Sequence, residues 1–326
     1  MRRASLVFAL LFAACSSGGG GGGAAGGAGS GGGGAGGGGG GTGGAGGGGG
    51  GGTGGAGGQA ITLTMGPFTV PAGMEVYKCQ DFADPFGAND AEIGAYEVHM
   101  APGSHHMFLF FQEGTNSSGS LIDCPSGGLE FHPYPFSTQT PDSMVTYPPG
   151  VASLIRGNTG LRVNAHYINT TGQDLTGNVT VILHVAPAGT ISSHAGTIFM
   201  NDVTISIAPG MHTASASCTL PQNVNLLGSA SHMHHRATHF VATSGSTMLY
   251  ETNTWSDPIP ARYDPPMQLS SGARVSFSCD YFNETSQTLT FGESGQNNVM
   301  CIFTAQYFPV TGTDPTIACM AFGTNR

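Results

Sequence analysis

A glycine run from Gly18 to Gly58, broken only by scattered Ala, Thr and Ser, most limits what this chain can fold into. Such a segment buries nothing and behaves as a flexible tether, with a typical span of about 35 Å. Residues 59–326 must therefore supply the folded part, and that length is sufficient for about two ordinary domains.

The N-terminus has the features of a secretory signal. Arg2 and Arg3 precede the apolar stretch Leu6–Phe12, which ends in two alanines and Cys15. This cysteine after small residues resembles the lipobox of bacterial lipoproteins, which implies a signal peptide over residues 1–14, lipidation of Cys15 and a tether to residue 58. Ser16 favours the outer membrane, facing the periplasm or the cell surface, because an aspartate there would indicate inner-membrane retention. The alternative is an ordinary secretory signal with an incidental cysteine.

The remaining cysteines agree with export. Six remain after Cys15, and an even number in an exported protein indicates up to three disulfides. They are Cys79, Cys124, Cys218, Cys279, Cys301 and Cys319. Spacing alone leaves 15 pairings open, although we expect the last four to pair among themselves. No CxxC motif is present, which argues against a zinc knuckle.

Strand signals dominate the folded part, where β-branched and aromatic runs alternate with turns such as Ala101-Pro102-Gly103-Ser104. The predicted strands are Ile61–Met65, Glu92–Met100, His105–Phe111, Leu161–Tyr167, Val179–Ala186, Val203–Ala208, His239–Ala242, Arg274–Cys279 and Met300–Phe308. The pattern predicts an all-β protein of two jelly-roll-like antiparallel β-sandwiches side by side. We place the domains at 59–190 and 191–326, with the boundary in Pro187–Ser193.

Charge limits the partners of the chain. It has 9 basic and 19 acidic residues, a formal net charge of -10, and this balance argues against a nucleic-acid partner. The 12 histidines outnumber the lysines and arginines. That excess is the first indication of metal chemistry. We expect a monomer.

The histidines form a pattern with metal-ligand spacing. His232 and His234 are two residues apart, so in a strand they point to the same face and can bind one ion. His105 and His106 are adjacent and point to opposite faces of a regular strand, so they can share a metal only if a bend turns them together. His166 lies late in another strand of the same half.

The metal is not fixed by the histidines alone. Three imidazoles suit zinc, copper, iron or nickel, whereas two imidazoles with a thioether favour Cu(I). Met300 is a candidate for the thioether, although the second half contains other methionines.

In this order, the motifs resemble the copper type II, ascorbate-dependent monooxygenases, the family of peptidylglycine hydroxylating monooxygenase and dopamine β-monooxygenase. The resemblance spans Ile61 to the C-terminus. It is carried by His105-His106-Met107, Pro149-Gly150-Val151, Gly157-Asn158-Thr159-Gly160, His166-Tyr167, His232-Met233-His234-His235 and Met300-Cys301. It implies two jelly-roll-like domains, each holding one copper, that face each other across a solvent-filled cleft.

The resemblance also implies roles for individual residues. His105, His106 and His166 would hold the electron-storing copper, and His232, His234 and Met300 the copper at which O2 and the substrate C–H bond react. The reaction would use O2, a small-molecule substrate and an ascorbate-type reductant. The family's disulfide pattern implies Cys279–Cys301 and Cys218–Cys319, which leaves Cys79–Cys124.

The chain departs from the family where peptidylglycine enzymes grip a substrate carboxylate. Ala230, Ile302 and Thr304 stand at the positions of the arginine, asparagine and tyrosine that do so. A carboxylate would lack a charged partner there, so we expect a neutral or apolar substrate. Two other hypotheses remain open: a non-enzymatic copper-binding surface lipoprotein, and an interaction module that reuses the fold.

Overall fold

The computed structural model describes residues 58–113, 118–125 and 132–325. The predicted signal peptide, Cys15 and the tether up to residue 57 lie outside the described residues. The regular elements in the described part are β-strands, as predicted. They belong to one compact unit with two hydrophobic cores.

The first ten strands form the first sandwich. They are β1 (Ala60–Val70), β2 (Glu75–Phe82), β3 (Ala91–Met100), β4 (Ser104–Glu113), β5 (Ile122–Asp123), β6 (Phe136–Thr138), β7 (Asp142–Thr146), β8 (Val151–Ile155), β9 (Thr159–Ile168) and β10 (Leu175–Val185). One sheet has the order β5-β2-β9-β4-β6 and packs on β1, β10 and β3. Alternate residues of β9, such as Val163 and Ala165, fill the core, so His166 points away from it.

The remaining strands form the second sandwich. They are β11 (Ser193–Asp202), β12 (Ser206–Ile207), β13 (Gly210–Thr219), β14 (Val224–Met233), β15 (Ala237–Ser244), β16 (Thr247–Thr252), β17 (Ala261–Leu269), β18 (Arg274–Asn283), β19 (Leu289–Thr290), β20 (Cys301–Phe308), β21 (Thr316–Ala321) and β22 (Thr324–Asn325). A sheet in the order β16-β15-β18-β13-β22 packs on β11, β20 and β14.

One sheet runs through both sandwiches, in the order β1-β10-β3-β8-β11-β20-β14-β17. Strand β11 joins the halves, because Ser193–Ala195 pairs with β8 and Gly196–Asn201 pairs with β20. The β8–β11 and β11–β21 pairs are parallel, whereas the other strand pairs of the described part are antiparallel. This shared strand fixes the two sandwiches to each other.

The strand predictions are confirmed except in one segment. Val203–Ala208 contains only the two-residue strand Ser206–Ile207. The preceding residues form a turn, because the Asp202 carboxylate accepts hydrogen bonds from the Thr204 amide at 3.0 Å and hydroxyl at 2.9 Å. A short polar side chain that bonds its own backbone two residues on favours a turn over a strand.

The two sandwiches repeat one local motif. Asn169 directly follows β9, and Asn283 is the last residue of β18. Each is 1% exposed and donates from Nδ2 to the carbonyl four residues on, at 2.8 Å in both cases. Each Oδ1 accepts from the hydroxyl of the threonine two residues on, both at 2.7 Å. Each Asn-x-Thr sequence is therefore a turn motif in which the asparagine alone is buried.

Three disulfides are formed. Cys218–Cys319 and Cys279–Cys301 are the pairs implied by the family pattern, and Cys79–Cys124 is the pair that remained by elimination; the expectation that the last four cysteines pair among themselves is confirmed. The Cys218–Cys319 and Cys279–Cys301 bonds connect strands of the two facing sheets of the second sandwich.

Candidate metal centre

A β-bulge supplies the bend that His105 and His106 need. On β4 and β9, Ser104 lies opposite Tyr167 and His106 lies opposite His166, so His105 is the extra residue on its strand. A bulge of this kind locally breaks the alternation of side chains. The His105 and His106 rings consequently lie 5.2 Å apart, centroid to centroid.

His166 completes the first histidine set. Its ring lies 5.2 Å from that of His105 and 5.1 Å from that of His106. One nitrogen from each of the three residues lies within 4.8 Å of the others. The structure thus brings together the three residues predicted for one metal.

A carboxylate network holds His166 in place. Glu75 accepts a hydrogen bond from His166 Nε2 at 3.1 Å, and the Tyr77 ring stacks on the imidazole at 3.9 Å. Glu75 also accepts from the Ser294 hydroxyl and from the amides of Gly295 and Gln296, at 2.9 to 3.1 Å. Although burial raises its pKa, the bonds from His166 and Ser294 prevail and lower it to about 2.

The second histidine set lies at the end of β14. His232 and His234 point the same way, as their spacing predicts, with rings 5.2 Å apart. The Nδ1 of His232 bonds to Gln139 Oε1, and that of His234 to the Asn298 carbonyl at 3.2 Å. A carbonyl oxygen can only accept a hydrogen bond, so each Nδ1 carries the proton and each Nε2 has a free lone pair.

Met300 lies beside this second set. It directly precedes β20, is 6% exposed, and lines a cavity together with His232 and His234. The Tyr281 hydroxyl donates to its carbonyl at 2.7 Å, and its neighbour Cys301 is bonded to Cys279. The backbone that carries the thioether is therefore held at its own carbonyl and at the next residue.

The two sets touch, which differs from the solvent-filled cleft that the family resemblance implies. The ring of His232 lies 4.9 Å from His105 and 5.0 Å from His106. His105 also groups with His232 and His234 as a possible set of three ligands. The five imidazoles form one cluster, in which His105, His166 and His234 are buried and the other two are half-buried. They meet because β11 fixes the sandwiches side by side and the bulge turns His105 toward the second half.

The electrostatics of this group fit a metal ion. Burial lowers the pKa of all five imidazoles, to about 3 for His234, so they are neutral at pH 7. Among the described residues, His105 Nε2, His106 Nδ1 and His166 Nδ1 have no hydrogen-bond partner although they are buried. Neutral imidazoles with free ring nitrogens are what a transition metal requires.

A cavity of about 480 Å³ opens beside His106, His232 and His234. Its floor is one face of the strands β21, β11, β20 and β14. On that face Ala230 and Thr304 are cross-strand neighbours, and Ile302 lies two residues before Thr304 on the same strand. Aromatic side chains of the first sandwich form much of the opposite wall: Phe108, Phe110, Tyr134 and Phe136. The three positions singled out in the sequence therefore do line the space next to the histidines.

Several supporting residues were missed by the sequence analysis. Glu75, Tyr77, Gln139 and Asn298 orient the histidines, yet they lie in unremarked segments far from them in the chain; Glu75 is 91 residues from His166. No local pattern marks such contacts. Trp255, the one tryptophan of the sequence, lies 5.5 Å from the His105 ring.

In sequence comparisons no family model matches this chain, and no curated protein matches it. A search of the described residues finds no helix long and apolar enough to cross a membrane.

Proposed function

We propose that this protein is a copper-dependent monooxygenase that hydroxylates a C–H bond of a neutral or apolar substrate, using O2 and an ascorbate-type reductant. One observation carries the proposal: five clustered imidazoles and a thioether lie at a largely apolar cavity, with His106, His232, His234 and Met300 in its lining and His105 and His166 buried behind them. The family resemblance of the motifs supplies the reaction class.

Copper is the metal that the donor set favours. Two imidazoles with a thioether suit Cu(I), and three imidazoles accept copper readily. His105, His106 and His166 would hold one ion, and His232, His234 and Met300 the other. Bound copper supplies one-electron redox chemistry, so two ions match the balance R–H + O2 + 2 e⁻ + 2 H⁺ → R–OH + H2O.

The residues of the chain have separate tasks in this reaction. Glu75 and Asn298 hold the His166 and His234 rings in the tautomer that leaves one nitrogen free. The aromatic wall, including Phe108 and Tyr134, excludes water from the reacting C–H bond.

The lining of the cavity supports a neutral substrate. Arg262 is the one lysine or arginine among the lining residues that the structure describes; it is exposed and donates from Nη2 to the Met144 carbonyl at 2.7 Å. Beside the histidines stand Ala230, Ile302 and Thr304, which carry no charge. A substrate carboxylate would meet no cation at that end.

We also propose that the protein is exported and anchored through Cys15. The three disulfides support an oxidising compartment, because such bonds are rare in the cytosol. The lipobox-like sequence before Cys15 supports the outer membrane as the destination.

Copper per chain and oxygen uptake test the proposal. We expect two copper ions per purified full-length chain and strong quenching of Trp255 fluorescence by Cu(II), since the indole lies 5.5 Å from His105. Ascorbate-dependent oxygen uptake should occur with a suitable substrate and disappear in Met300→Ile. Met211→Ile, an exposed methionine outside the cavity lining, is the matched control.

The outcomes separate the hypotheses. Two coppers with no hydroxylated product from any screened compound would favour the non-enzymatic copper-binding lipoprotein. No bound copper, or zinc in its place, would leave the interaction module. Uptake that is unchanged in Met300→Ile would contradict the proposed role of the thioether.

A further inference from the structure

We infer that the cavity binds a neutral carboxamide group of the substrate at Asn201, about two strand spacings from His232. This inference rests on the proposed function, because it names the class of substrate for the same cavity. Asn201 lies near the end of β11, is 1% exposed and lines the cavity.

The register of the sheet fixes where Asn201 stands. Across four neighbouring strands, one row on the cavity face reads Met320, Asn201, Ile302, His232. All four residues line the cavity. Neighbouring strands lie about 4.8 Å apart, so Asn201 and His232 are separated by roughly 10 Å along the cavity floor.

The Asn201 amide has no partner within the described part of the chain. Both Oδ1 and Nδ2 are buried and form no hydrogen bond. Its neighbours on the same face are apolar: Ile302 and Met320 on the adjacent strands and Phe199 two residues back. A buried amide with neither group paired is costly, and such groups in native proteins usually have a ligand or a water to satisfy them.

The chemistry of the amide selects the ligand. Asparagine offers one acceptor and two donors, which a carboxamide matches with one donor and one acceptor. A carboxylate would satisfy only the donor and would have no cation beside it, and a ketone would satisfy only the donor. A ligand with a carboxamide at Asn201 and an apolar chain of roughly 10 Å would place its far end at His232.

Calorimetric titration with three compounds of similar shape tests this inference on the full-length chain, with and without copper. The probes are 4-phenylbutanamide, its isosteric methyl ketone 5-phenylpentan-2-one, and 4-phenylbutanoate. We expect the amide to bind at least about tenfold more tightly than either other compound, and Asn201→Leu to remove that preference. Gln306→Leu, which makes a similar change two rows away on the same face, should preserve it.

Other readouts keep the result interpretable. Asn201→Leu should leave thermal stability unchanged or raised, because it removes an unpaired buried amide, so lost binding would not reflect unfolding. Equal affinity for the three compounds, or an amide preference that survives in Asn201→Leu, would overturn the inference. Amide binding without any turnover would contradict the proposed function alone, and turnover without amide preference would contradict this inference alone.

Discussion

Lowering the pH should reduce the unfolding free energy of the copper-free protein. The histidines of the metal centre determine the size of this reduction. His105, His106, His232 and His234 have pKa values held well below 6.5 by burial, whereas in the unfolded chain they titrate near 6.5. The unfolded chain therefore binds more protons below that pH. Their contribution to stability is complete above pH 6.5 and is lost as the pH falls below it.

The size of the loss follows from the number of neutral rings. At pH 5.5, one unit below the unfolded value, each imidazole that stays neutral costs about 1.4 kcal/mol of folding free energy. For the four together the loss is about 6 kcal/mol, which is comparable to the whole stability of many domains. His99, whose pKa is raised by bonds to Asp142 and Glu97, acts in the opposite direction, but its effect is small because its side chain is half-exposed.

Urea unfolding followed by Trp255 fluorescence at pH 7.5, 6.5 and 5.5 measures this effect. We expect the unfolding free energy to fall steeply over the lower interval and copper to restore it, because the metal competes with protons for the same nitrogens. His106→Gln should reduce the loss between pH 6.5 and 5.5 by about 1 kcal/mol, and His212→Gln, outside the cluster, should not. A free energy that is flat between pH 7.5 and 5.5 would refute the buried neutral cluster.

Three further predictions concern the supports of the site. Glu75→Gln should lower the free energy of unfolding by about 2 kcal/mol at pH 7, a value reduced for the partial exposure of the carboxylate. The difference from the native chain should shrink as the pH falls from 4.5 toward 2. A loss at pH 3 equal to that at pH 7 would contradict the charged network. Replacing Cys279 and Cys301 by serine opens a loop with a sequence separation of 22, so denaturant unfolding should show a loss of about 3 kcal/mol of unfolding free energy. Copper binding should also weaken, and copper affinity equal to that of the native chain would argue against a fixed Met300. Gly103→Ala should destabilise the protein by about 1 kcal/mol or more, because Gly103 has a φ of +90° and the new Cβ would lie 2.9 Å from the Leu175 side chain. Gly172→Ala, with open space around it, is the control. Equal effects of the two substitutions would contradict strain at the turn before the bulge.

The sequence by itself determined the fold class and the identity of the metal-binding candidates. Strand alternation and turn residues are local signals, and eight of the nine strands predicted from them are present. The prediction failed at Val203–Ala208, where an aspartate turn intervenes, and it left out long strands such as β2, β11, β13, β14 and β17. The two-residue spacing of His232 and His234 placed both rings on one face correctly. The disulfide pairing came from the family pattern, since spacing left it open.

The tertiary structure decided how the candidates meet. A one-residue bulge turns His105 beside His106, and the shared strand β11 brings both against His232, so that two sets implied to be separate form one cluster. The tertiary structure also identified Glu75 and Asn201 as residues of the site, because their roles depend on contacts across sheets and sandwiches. A periodic sequence pattern reports which face a side chain occupies. What that face meets depends on strand register and on the packing of distant segments, and these are settled only when the whole chain folds.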